Sequence, residues 1–474
     1  MSSKRQKTSD RQQQLPLAFV EESRDESPDG FREGTVLNVA DSDSESPTRC
    51  DGSPRRLAGG ELMESICDPV NLEMAIARVI TNGGAPGVDG MSVKQLEKYF
   101  ERHRDRIVGE LLSGAYRPQP VRRVEIPKPD GGVRKLGIPT AVDRVIQQAI
   151  LLVLSPEWDE TFSENSFGFR PFRSAHQAIA QAQTYLGEGF TWVVDLDLEK
   201  FFDRVNHDVL MSRVANRVED KRLLKLIRVF LNSGVMIDGL TSATPEGTPQ
   251  GGPLSPLLSN LLLDELDREL ESRGLRFARY ADDCNIYVKS ERAGKRVLAS
   301  VTNWLAKKLR LKVNQAKSAV DRPWKRKFLG FTFTTQRKRS IAPASKAKFK
   351  KSIRQLTKRN RGSSLTRVVG ELRSYLLGWR GYFGFCQTPS VLRDFDSWIH
   401  RRLRCYAWKQ WKTGKRRFAE LRRLGIGKDL ASQTAGSSKR YWHLSRSPAL
   451  NMALSRALLV EWGLPLLLPP EPKV

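Results

Sequence analysis

The stretch FARYADDCNIYV (277–288) decides the fold, because it joins two apolar runs through an acidic pair. Apolar runs that meet at a short polar turn are typical of a β-hairpin, and we expect its tip at Ala281, Asp282 and Asp283. Upstream, FTWVVDLDL (190–198) has the apolar composition of a buried strand. Helical patterns between and after these strands predict an α+β fold with an antiparallel sheet.

Acidic residues end both strands, in VVDLDLEKFFD (193–203) and in YADD (280–283). Partly buried carboxylates need a partner, and two such groups together need a cation. Oxygen ligands suit Mg²⁺, and two ions about 4 Å apart can drive in-line phosphoryl transfer. Asp195 and Asp197 are two residues apart, so alternation places both on one face of the strand and leaves both as candidate ligands. An acidic pair taken alone is more often an ordinary turn.

The charge balance indicates a nucleic-acid partner. Lys and Arg total 80 among 474 residues, against 53 Asp and Glu, which gives a formal net charge of +27. Such an excess attracts polyanions by counterion release. Nucleic acid is the favoured partner, and an anionic membrane surface is the weaker alternative. No run of about 18 apolar residues is present, so we expect no membrane span. The N-terminus lacks a signal-like apolar core and no cysteines have CxxC spacing, which favours a reducing, cytoplasmic location.

Composition also divides the chain into segments. Residues 1–60 are polar, and between 20 and 53 ten acidic residues stand against three basic ones, so we expect a disordered extension. Strand-like runs at 121–126 and 133–138 flank Pro-Asp-Gly-Gly, which predicts a β-hairpin with a basic tip. Helical spacing occurs in three further segments, 70–81, 92–113 and 141–154.

Eight motifs follow in one order along the chain: GAPGVDG (84–90), IPKPDGGVRKLGIP (126–139), SFGFRPFRSAHQAI (166–179), DLEKFFDRVNHD (197–208), GTPQGGPLSPLLSNLLLDELD (247–267), RYADD (279–283), LKVNQAKS (311–318) and FLGF (328–331). They resemble the motifs of reverse transcriptases encoded by group II introns, over roughly residues 66–462. The resemblance implies a right-hand polymerase, with fingers and palm in 61–335 and a thumb in 336–396. A small helical, basic maturase domain would follow in 397–474.

The resemblance also assigns the catalytic carboxylates. Asp197, Asp282 and Asp283 are implied as the ligands of two Mg²⁺ ions. Asp197 is preferred over Asp195 because the family's spacing to Phe202 fits it, and Asp195 stays the alternative. Phe202 is implied as a steric gate whose ring would clash with the 2′-hydroxyl of a ribonucleotide, although ordinary core packing would also explain it.

Further residues are implied as contacts to the dNTP and the primer. Gln250 lies in a loop entering a helix, where backbone donors suit a nucleotide. Lys128 and Arg134 flank the hairpin tip and would clamp the triphosphate, and Lys317 would act near the leaving pyrophosphate. Either basic residue of the hairpin alone is more often a surface charge. The primer grip is implied at Phe328, Leu329, Gly330 and Phe331.

The C-terminal third mixes basic residues with tryptophan, which offers phosphate contacts and base stacking. Its position after a thumb implies RNA binding by a maturase domain. The implied residues are Arg401, Arg402, Arg404, Trp408, Lys409, Trp411 and Lys412. The thumb aromatics Tyr375, Trp379 and Tyr382 are equally compatible with core packing and with lining the groove for a duplex.

The resemblance implies an RNA-directed DNA polymerase that copies RNA into cDNA and binds intron RNA to assist splicing and mobility. The expected partners are intron RNA, an RNA template with its DNA primer, dNTPs and a DNA target. Two alternatives stay open: an RNA-binding splicing cofactor with little polymerase activity, and a reverse transcriptase adopted for defence or DNA repair. No HNH-type cluster of Cys and His precedes Val474, so we expect no second-strand cleavage.

Overall fold

The structure is a computed structural model that describes residues 61–127, 133–237, 240–242, 247 and 251–468. The extension expected to be disordered, residues 1–60, lies outside these ranges. Among the helices of the described part, none is both long and apolar enough to cross a membrane.

Helices make up most of the described residues. A 3-10 turn at Val93–Gln95 and a π turn at Leu305–Leu309 accompany them. The α-helices are α1 (Leu62–Cys67), α2 (Pro69–Asn82), α3 (Leu96–Leu112), α4 (Ala141–Asp159), α5 (Ala175–Gly187), α6 (Phe201–Arg204), α7 (His207–Ala215), α8 (Lys221–Leu231), α9 (Ser255–Ser272), α10 (Glu291–Trp304), α11 (Pro343–Leu356), α12 (Leu365–Phe383), α13 (Pro389–Gln410), α14 (Gly414–Arg423), α15 (Lys428–Ala435), α16 (Tyr441–Leu444), α17 (Pro448–Ala453) and α18 (Arg456–Glu461).

The strands of the described residues form three sheets, with orders β2-β1-β4-β5, β6-β7-β3-β8 and β10-β9. Neighbouring strands are antiparallel except β1 and β4, which are parallel. This confirms the α+β class with an antiparallel sheet. The strands are β1 (Val121–Pro127), β2 (Val133–Ile138), β3 (Trp192–Leu196), β4 (Val235–Ile237), β5 (Leu240–Ser242), β6 (Arg276–Tyr280), β7 (Asp283–Val288), β8 (Ala319–Asp321), β9 (Phe331–Phe333) and β10 (Arg339–Ile341).

Helices cover both faces of the sheet β6-β7-β3-β8, which explains why its two central strands are mostly apolar outside Asp195, Asp283 and Asn285. Val194 and Ile286 belong to the main core on one face, which α9 and α10 complete. Val193 and Tyr287 point to the opposite face, which α5 covers. Helices therefore hold the sheet from both sides, and the strand ends are where polar residues can reach the surface.

Local sequence signals set several of the element ends. The expected hairpin at 121–138 is confirmed, with Pro127 opposite Val133 at the inner end of the loop. Helix α4 begins after Thr140, whose side chain accepts a hydrogen bond from the Asp143 amide. It was expected to end at 154, yet it continues through Pro156 to Asp159, because Trp158 is buried in the main core and its packing offsets the hydrogen bond that proline cannot donate.

The C-terminal third is built on α13, a helix of 22 residues. The expected boundary between thumb and maturase domain, at 396–397, falls inside this helix. Leu392 and Phe395 before that point, and Leu403 and Tyr406 after it, belong to one core shared with α11 and α12. Thumb and maturase residues are therefore packed together along α13.

Candidate active site and nucleic-acid interface

Three carboxylates lie on one face of the central sheet, at one end of neighbouring strands. β3 runs antiparallel to β7 with Leu196 opposite Cys284, so the next residues, Asp197 and Asp283, stand side by side where the strands end. Alternation puts Asp195 on the same face. The two acidic stretches, which are distant in sequence, are thus joined by strand pairing.

Asp282 occupies the turn between β6 and β7. The expected tip of this hairpin included Asp283, but Asp283 pairs with Tyr280 as the first residue of β7, so Ala281 and Asp282 alone form the turn. Ala281 has a φ of 56°, in the left-handed region that two-residue hairpin turns require. This tight turn keeps the two aspartates adjacent at the edge of the sheet.

The carboxylates repel one another. Asp283 is open to solvent on its outer side, while the protein around it removes water and the charges of Asp282, Asp195 and Asp197 oppose ionisation. Together these effects raise the pKa of Asp283 to about 7. Burial also raises the pKa of Asp195, although the neighbouring guanidinium of Arg326 acts to lower it. A cation placed among these groups would relieve the repulsion.

Arg326 distinguishes the two candidate ligands on β3. Its Nε and Nη2 donate hydrogen bonds of 2.9 and 2.6 Å to the Asp195 carboxylate, and Nη2 also donates to the Lys317 carbonyl oxygen at 2.6 Å. Asp195 is therefore neutralised by a protein partner, which leaves Asp197 as the better ligand. The sequence offered no signal for Arg326, which is one of many basic residues before FLGF. The Lys317 side chain is exposed at this edge.

The donor set fits a hard divalent cation in its chemistry. Asp197, Asp282 and Asp283 supply only carboxylate oxygens, the ligands that Mg²⁺ prefers. In the part of the chain that the structure describes, no three His, Cys, Asp or Glu side chains are arranged as a ready metal site. Burial and the neighbouring carboxylates together raise the pKa of Asp283, and a cation bound here would favour its ionised form.

A buried ion pair supports the turn of Ala281 and Asp282 from the side of α9. Arg279 is fully buried, and its Nε and Nη2 donate to the two Asp267 carboxylate oxygens at 2.7 and 2.5 Å. Its Nη1 donates to the Asn260 side-chain oxygen and to the Ala281 carbonyl oxygen, both at 3.0 Å. Arg279 and its partners on α9 are positioning residues that sequence reasoning missed, because nothing in their spacing shows that α9 passes beneath the turn.

The loop at the start of the 166–179 motif packs against the same turn. A Cβ at Gly168 would lie 2.3 Å from the Ala281 amide nitrogen, so only glycine allows this approach. The Asn260 amide donates to the Gly168 carbonyl oxygen at 2.8 Å, and the Phe169 ring lies 6.3 Å from that of Tyr280. Turn, loop and α9 therefore form one rigid assembly.

A cavity of about 470 Å³ opens beside this assembly. Phe202 and Phe169 line it together with Gly251 and Arg144. Phe202 is half-buried, so its ring faces the cavity while it also packs on the core. At Gly247, where the Pro-Gln-Gly loop begins, a Cβ would lie 2.9 Å from the Phe202 carbonyl oxygen. The cavity can accept a nucleotide-sized ligand against an aromatic wall.

The other expected dNTP contacts are only partly visible. Lys128 and Gln250 lie outside the described residues. Arg134 lies on β2 opposite Ile126, close to the inner end of the hairpin loop. Gly251, which follows Gln250, approaches β2 so closely that a Cβ would lie 2.6 Å from the Gly137 carbonyl oxygen. Gly251 and strand β2 of the hairpin therefore meet at the cavity.

The expected primer grip is a tight hairpin turn. The amides and carbonyls of Phe328 and Phe331 form reciprocal hydrogen bonds of 2.9 Å, with Leu329 and Gly330 at φ of 50° and 80° between them. Both phenylalanine rings are buried. The Tyr382 hydroxyl donates to the Leu329 carbonyl oxygen at 2.8 Å, which fixes the turn to the thumb. Contacts to a primer can therefore come from the turn backbone and Leu329.

The thumb aromatics serve mainly as core. Trp379 packs on Phe349 with ring centroids 4.2 Å apart, and Tyr375 stacks on the same ring at 6.0 Å. The Tyr382 ring lies 5.2 Å from His176 on α5, so it joins the thumb to the palm. The sequence left open whether these aromatic residues pack in the core or line a groove for a duplex, and these contacts are those of core packing.

The expectation that Trp408 and Trp411 stack on RNA is wrong. Trp408 is 1% exposed and Trp411 8% exposed, within a core formed with α14, α15 and α17. The Arg404 Nε donates to the Leu454 carbonyl oxygen at 3.1 Å, and Arg401 and Arg402 likewise donate to the Trp442 carbonyl oxygen and the Thr357 hydroxyl. Lys409 and Lys412 are exposed, as a nucleic-acid contact requires.

A second surface pairs cations with accessible aromatic rings. The Arg401 guanidinium lies 3.6 Å from the centroid of the Trp442 ring, which is 43% exposed. Arg402 lies 5.3 Å from Trp398, and Lys409 lies 5.3 Å from Tyr441. We call Arg401, Arg402, Lys409, Trp398, Tyr441 and Trp442 the α13 surface. Among the described residues, none of its three cations forms an ion pair with a carboxylate, which leaves their charge available to phosphate.

Comparisons with known proteins agree with this arrangement. Residues 126–333 match the family described as reverse transcriptase (RNA-dependent DNA polymerase), and residues 346–425 match the group II intron, maturase-specific domain. Protein YkfC of Escherichia coli is 37% identical over 45% of this chain and 58% of its own length. The group II intron-encoded protein LtrA of Lactococcus lactis is 35% identical over 44% of this chain and 34% of its own.

A solved partial Cas6-RT-Cas1–Cas2 complex also matches, with 26% identity, a TM-score of 0.34, and coverage of 52% of this chain and 42% of that one. The chain spans less than two thirds of the length of both curated relatives. The reverse transcriptase match contains both acidic strands and ends in β9, and the maturase match begins on α11 and continues through α13. On these two matches, in this order, the chain carries a reverse transcriptase domain followed by a group II intron maturase-specific domain.

Proposed function

We propose that the chain is an RNA-directed DNA polymerase that copies RNA into cDNA. The observation that carries the proposal is the meeting of Asp197 and Asp283 at the ends of paired strands, with Asp282 in the adjoining turn. A protein that only binds RNA has no need for carboxylates gathered at one edge of its sheet. Such a cluster would also repel phosphate unless a cation were bound.

Asp197, Asp282 and Asp283 would hold two Mg²⁺ ions, which would supply positive charge to the reacting phosphate and lower the pKa of the primer 3′-hydroxyl. In the reaction, the primer 3′-oxygen forms a bond to the α-phosphorus of a dNTP, and the bond to the β-phosphate oxygen breaks, so that pyrophosphate leaves. Arg326 would keep Asp195 oriented away from this role. Phe202 would place its ring where a ribose 2′-hydroxyl would otherwise fit.

The same chain would bind intron RNA and assist splicing and mobility, with a DNA target as a further partner. The α13 surface supports this second activity, because guanidinium and ammonium groups can contact phosphates while exposed rings stack on bases. The rival candidates are a splicing cofactor with little polymerase activity and a reverse transcriptase used in defence or repair. A splicing cofactor would keep its activity after loss of the carboxylates. A reverse transcriptase used in defence or repair would keep its activity after loss of the α13 surface.

Primer extension on an RNA template with dNTPs and Mg²⁺ tests the polymerase proposal. We expect long cDNA from the wild type and none from Asp282→Asn/Asp283→Asn. The matched control is Asp105→Asn/Asp394→Asn, which makes the same charge change at exposed positions on α3 and α13 and should extend normally. Absence of cDNA from the wild type, with tight RNA binding by all three proteins, would favour the splicing cofactor.

A further inference from the structure

Two phenylalanines in the loop 166–174 stand out by their backbone and their exposure. Phe169 and Phe172 have φ angles of 57° and 58°. Phe169 is 53% exposed and lines the cavity beside the catalytic turn, whereas Phe172 is 99% exposed. A bulky residue in the left-handed region is a conformational outlier, since glycine or asparagine takes that position more easily.

Phe172 adds nothing to the folded core that would offset this strain. Its ring buries no apolar surface against the protein, so its burial contributes no hydrophobic stabilisation. Strained residues of this kind persist where the surrounding structure over-determines them, and they concentrate at binding sites. Contacts of the surrounding loop must therefore hold Phe172 in this conformation.

The loop is held by buried and capped contacts. Arg170 is 7% exposed, and its Nη1 donates to the Ser163 and Ser166 carbonyl oxygens at 2.6 and 2.9 Å. The Gln177 side-chain amide donates to the Phe172 carbonyl oxygen at 3.3 Å, and the oxygen of the same side chain accepts from the Ser174 amide in the capping box that begins α5. The backbone of Phe172 is therefore fixed on both sides while its ring stays free.

The loop is also fixed to the catalytic centre. Gly168 touches the backbone of Ala281, and the Phe167 amide donates to the Arg279 carbonyl oxygen at 2.9 Å. Phe172 is four residues from Gly168 along this rigid loop. Four extended residues span at most about 14 Å, so the Phe172 ring lies within reach of a nucleic acid bound at the carboxylates. In a chain of net charge +27, the occupant favoured by charge is nucleic acid.

We propose that Phe172 is a binding residue that stacks on a nucleobase of the template–primer next to the catalytic turn. The inference rests on the proposed polymerase function and specifies how that site grips its nucleic acid. Stacking on an aromatic face tolerates every base, so the contact would add affinity without sequence preference. The fixed backbone means that the ring needs little ordering when nucleic acid binds.

Three variants separate the ring from the backbone strain. Phe172→Ala removes the ring and keeps a side chain at positive φ, Phe172→Gly removes both ring and strain, and Phe172→Trp retains an aromatic face. Met452→Ala, which truncates an exposed apolar side chain on α17, is the control. Affinity for template–primer is measured without dNTPs, with 2-aminopurine placed in turn at positions of the template and of the primer near the 3′ end.

We expect Phe172→Ala and Phe172→Gly to bind about 5-fold to about 150-fold more weakly, the range for loss of one base–aromatic stack. In both variants, 2-aminopurine at one position should change its fluorescence relative to the wild type. In Phe172→Trp and Met452→Ala, both the affinity and the fluorescence should stay as in the wild type. Phe172→Gly should melt no lower than wild type, so its loss cannot come from misfolding. Wild-type affinity and unchanged fluorescence in Phe172→Gly would overturn the proposal. Because these readouts need no synthesis, they are independent of whether the wild type extends primers.

Discussion

The β6–β7 turn and helix α13 differ in how the direction of a side chain is determined. In the sheet, alternation places Asp195 and Asp197 on one face and strand pairing brings Asp197 beside Asp283, so a pattern of period two predicted the face but not which aspartate is the ligand. On α13, Trp408 is 1% exposed, whereas Trp442, which packs beside that helix, is 43% exposed. The helical period alone does not say which side α14, α15 and α17 will cover. Strand ends can thus be read locally, while helix faces depend on tertiary partners.

The sharpest test of the sheet side is the choice between Asp195 and Asp197. We expect Asp197→Asn to lower primer extension by about 1000-fold or more, because it removes an open ligand for the cation that stabilises the phosphoryl-transfer transition state. Asp195→Asn should retain measurable synthesis, since Asp195 is already paired with Arg326. Steady-state rates at saturating dNTP compare the two. The reverse order of damage would make Asp195 the ligand.

The support beneath the turn should matter nearly as much. Asp267→Ala leaves Arg279 charged and fully buried without its carboxylate, which we expect to cost about 3–5 kcal/mol in the free energy of unfolding. Asp208→Ala breaks an exposed pair with Arg228 and should cost far less, because solvent screens that pair. Urea denaturation measures both. Equal, small losses would mean that the buried pair does not hold the turn.

Packing on α13 should make stability depend on pH through His400. Burial, assisted by the charges of Arg404 and Arg456, lowers the pKa of His400 to about 4 from 6.5. The folded state then binds a proton less well than the unfolded state, so stability is fully present above pH 6.5 and is lost as pH falls toward 4. The loss approaches about 3 kcal/mol at the acidic end. Urea denaturation of His400→Gln should show a smaller loss of unfolding free energy between these pH values than the wild type shows. If the unfolding free energy of the variant fell with pH as steeply as that of the wild type, His400 would not be the group responsible.

The smallest expected effect concerns RNA. Trp442→Ala should weaken binding of intron RNA by about 5-fold to about 150-fold with little change in unfolding free energy. Trp408→Ala should instead destabilise the fold by about 3–5 kcal/mol, because it empties a buried site. Filter binding and urea denaturation on both variants separate the two roles. If Trp408→Ala weakened RNA binding without loss of stability, the original expectation for that residue would be restored.

Sequence reasoning recovered most of the fold that depends on local patterns. The 121–138 hairpin, the acidic hairpin and the apolar strand before Asp197 were all placed to within a few residues. Contacts between distant segments were missed, because Arg326 and Arg279 look like any other basic residue until strand pairing brings them to Asp195 and Asp267. The same limit explains the error at Trp408 and Trp411.

The most direct test of the account is whether catalysis and RNA binding can be separated. Affinity for intron RNA and extension of a pre-annealed primer are measured on Asp282→Asn/Asp283→Asn and on Arg401→Ala/Trp442→Ala. The account predicts that the first variant loses synthesis and keeps its RNA affinity, while the second loses RNA affinity and still extends the primer at saturating concentration. Loss of RNA affinity in the carboxylate variant, or loss of extension in the α13 variant, would contradict the assignment of the two activities to two regions.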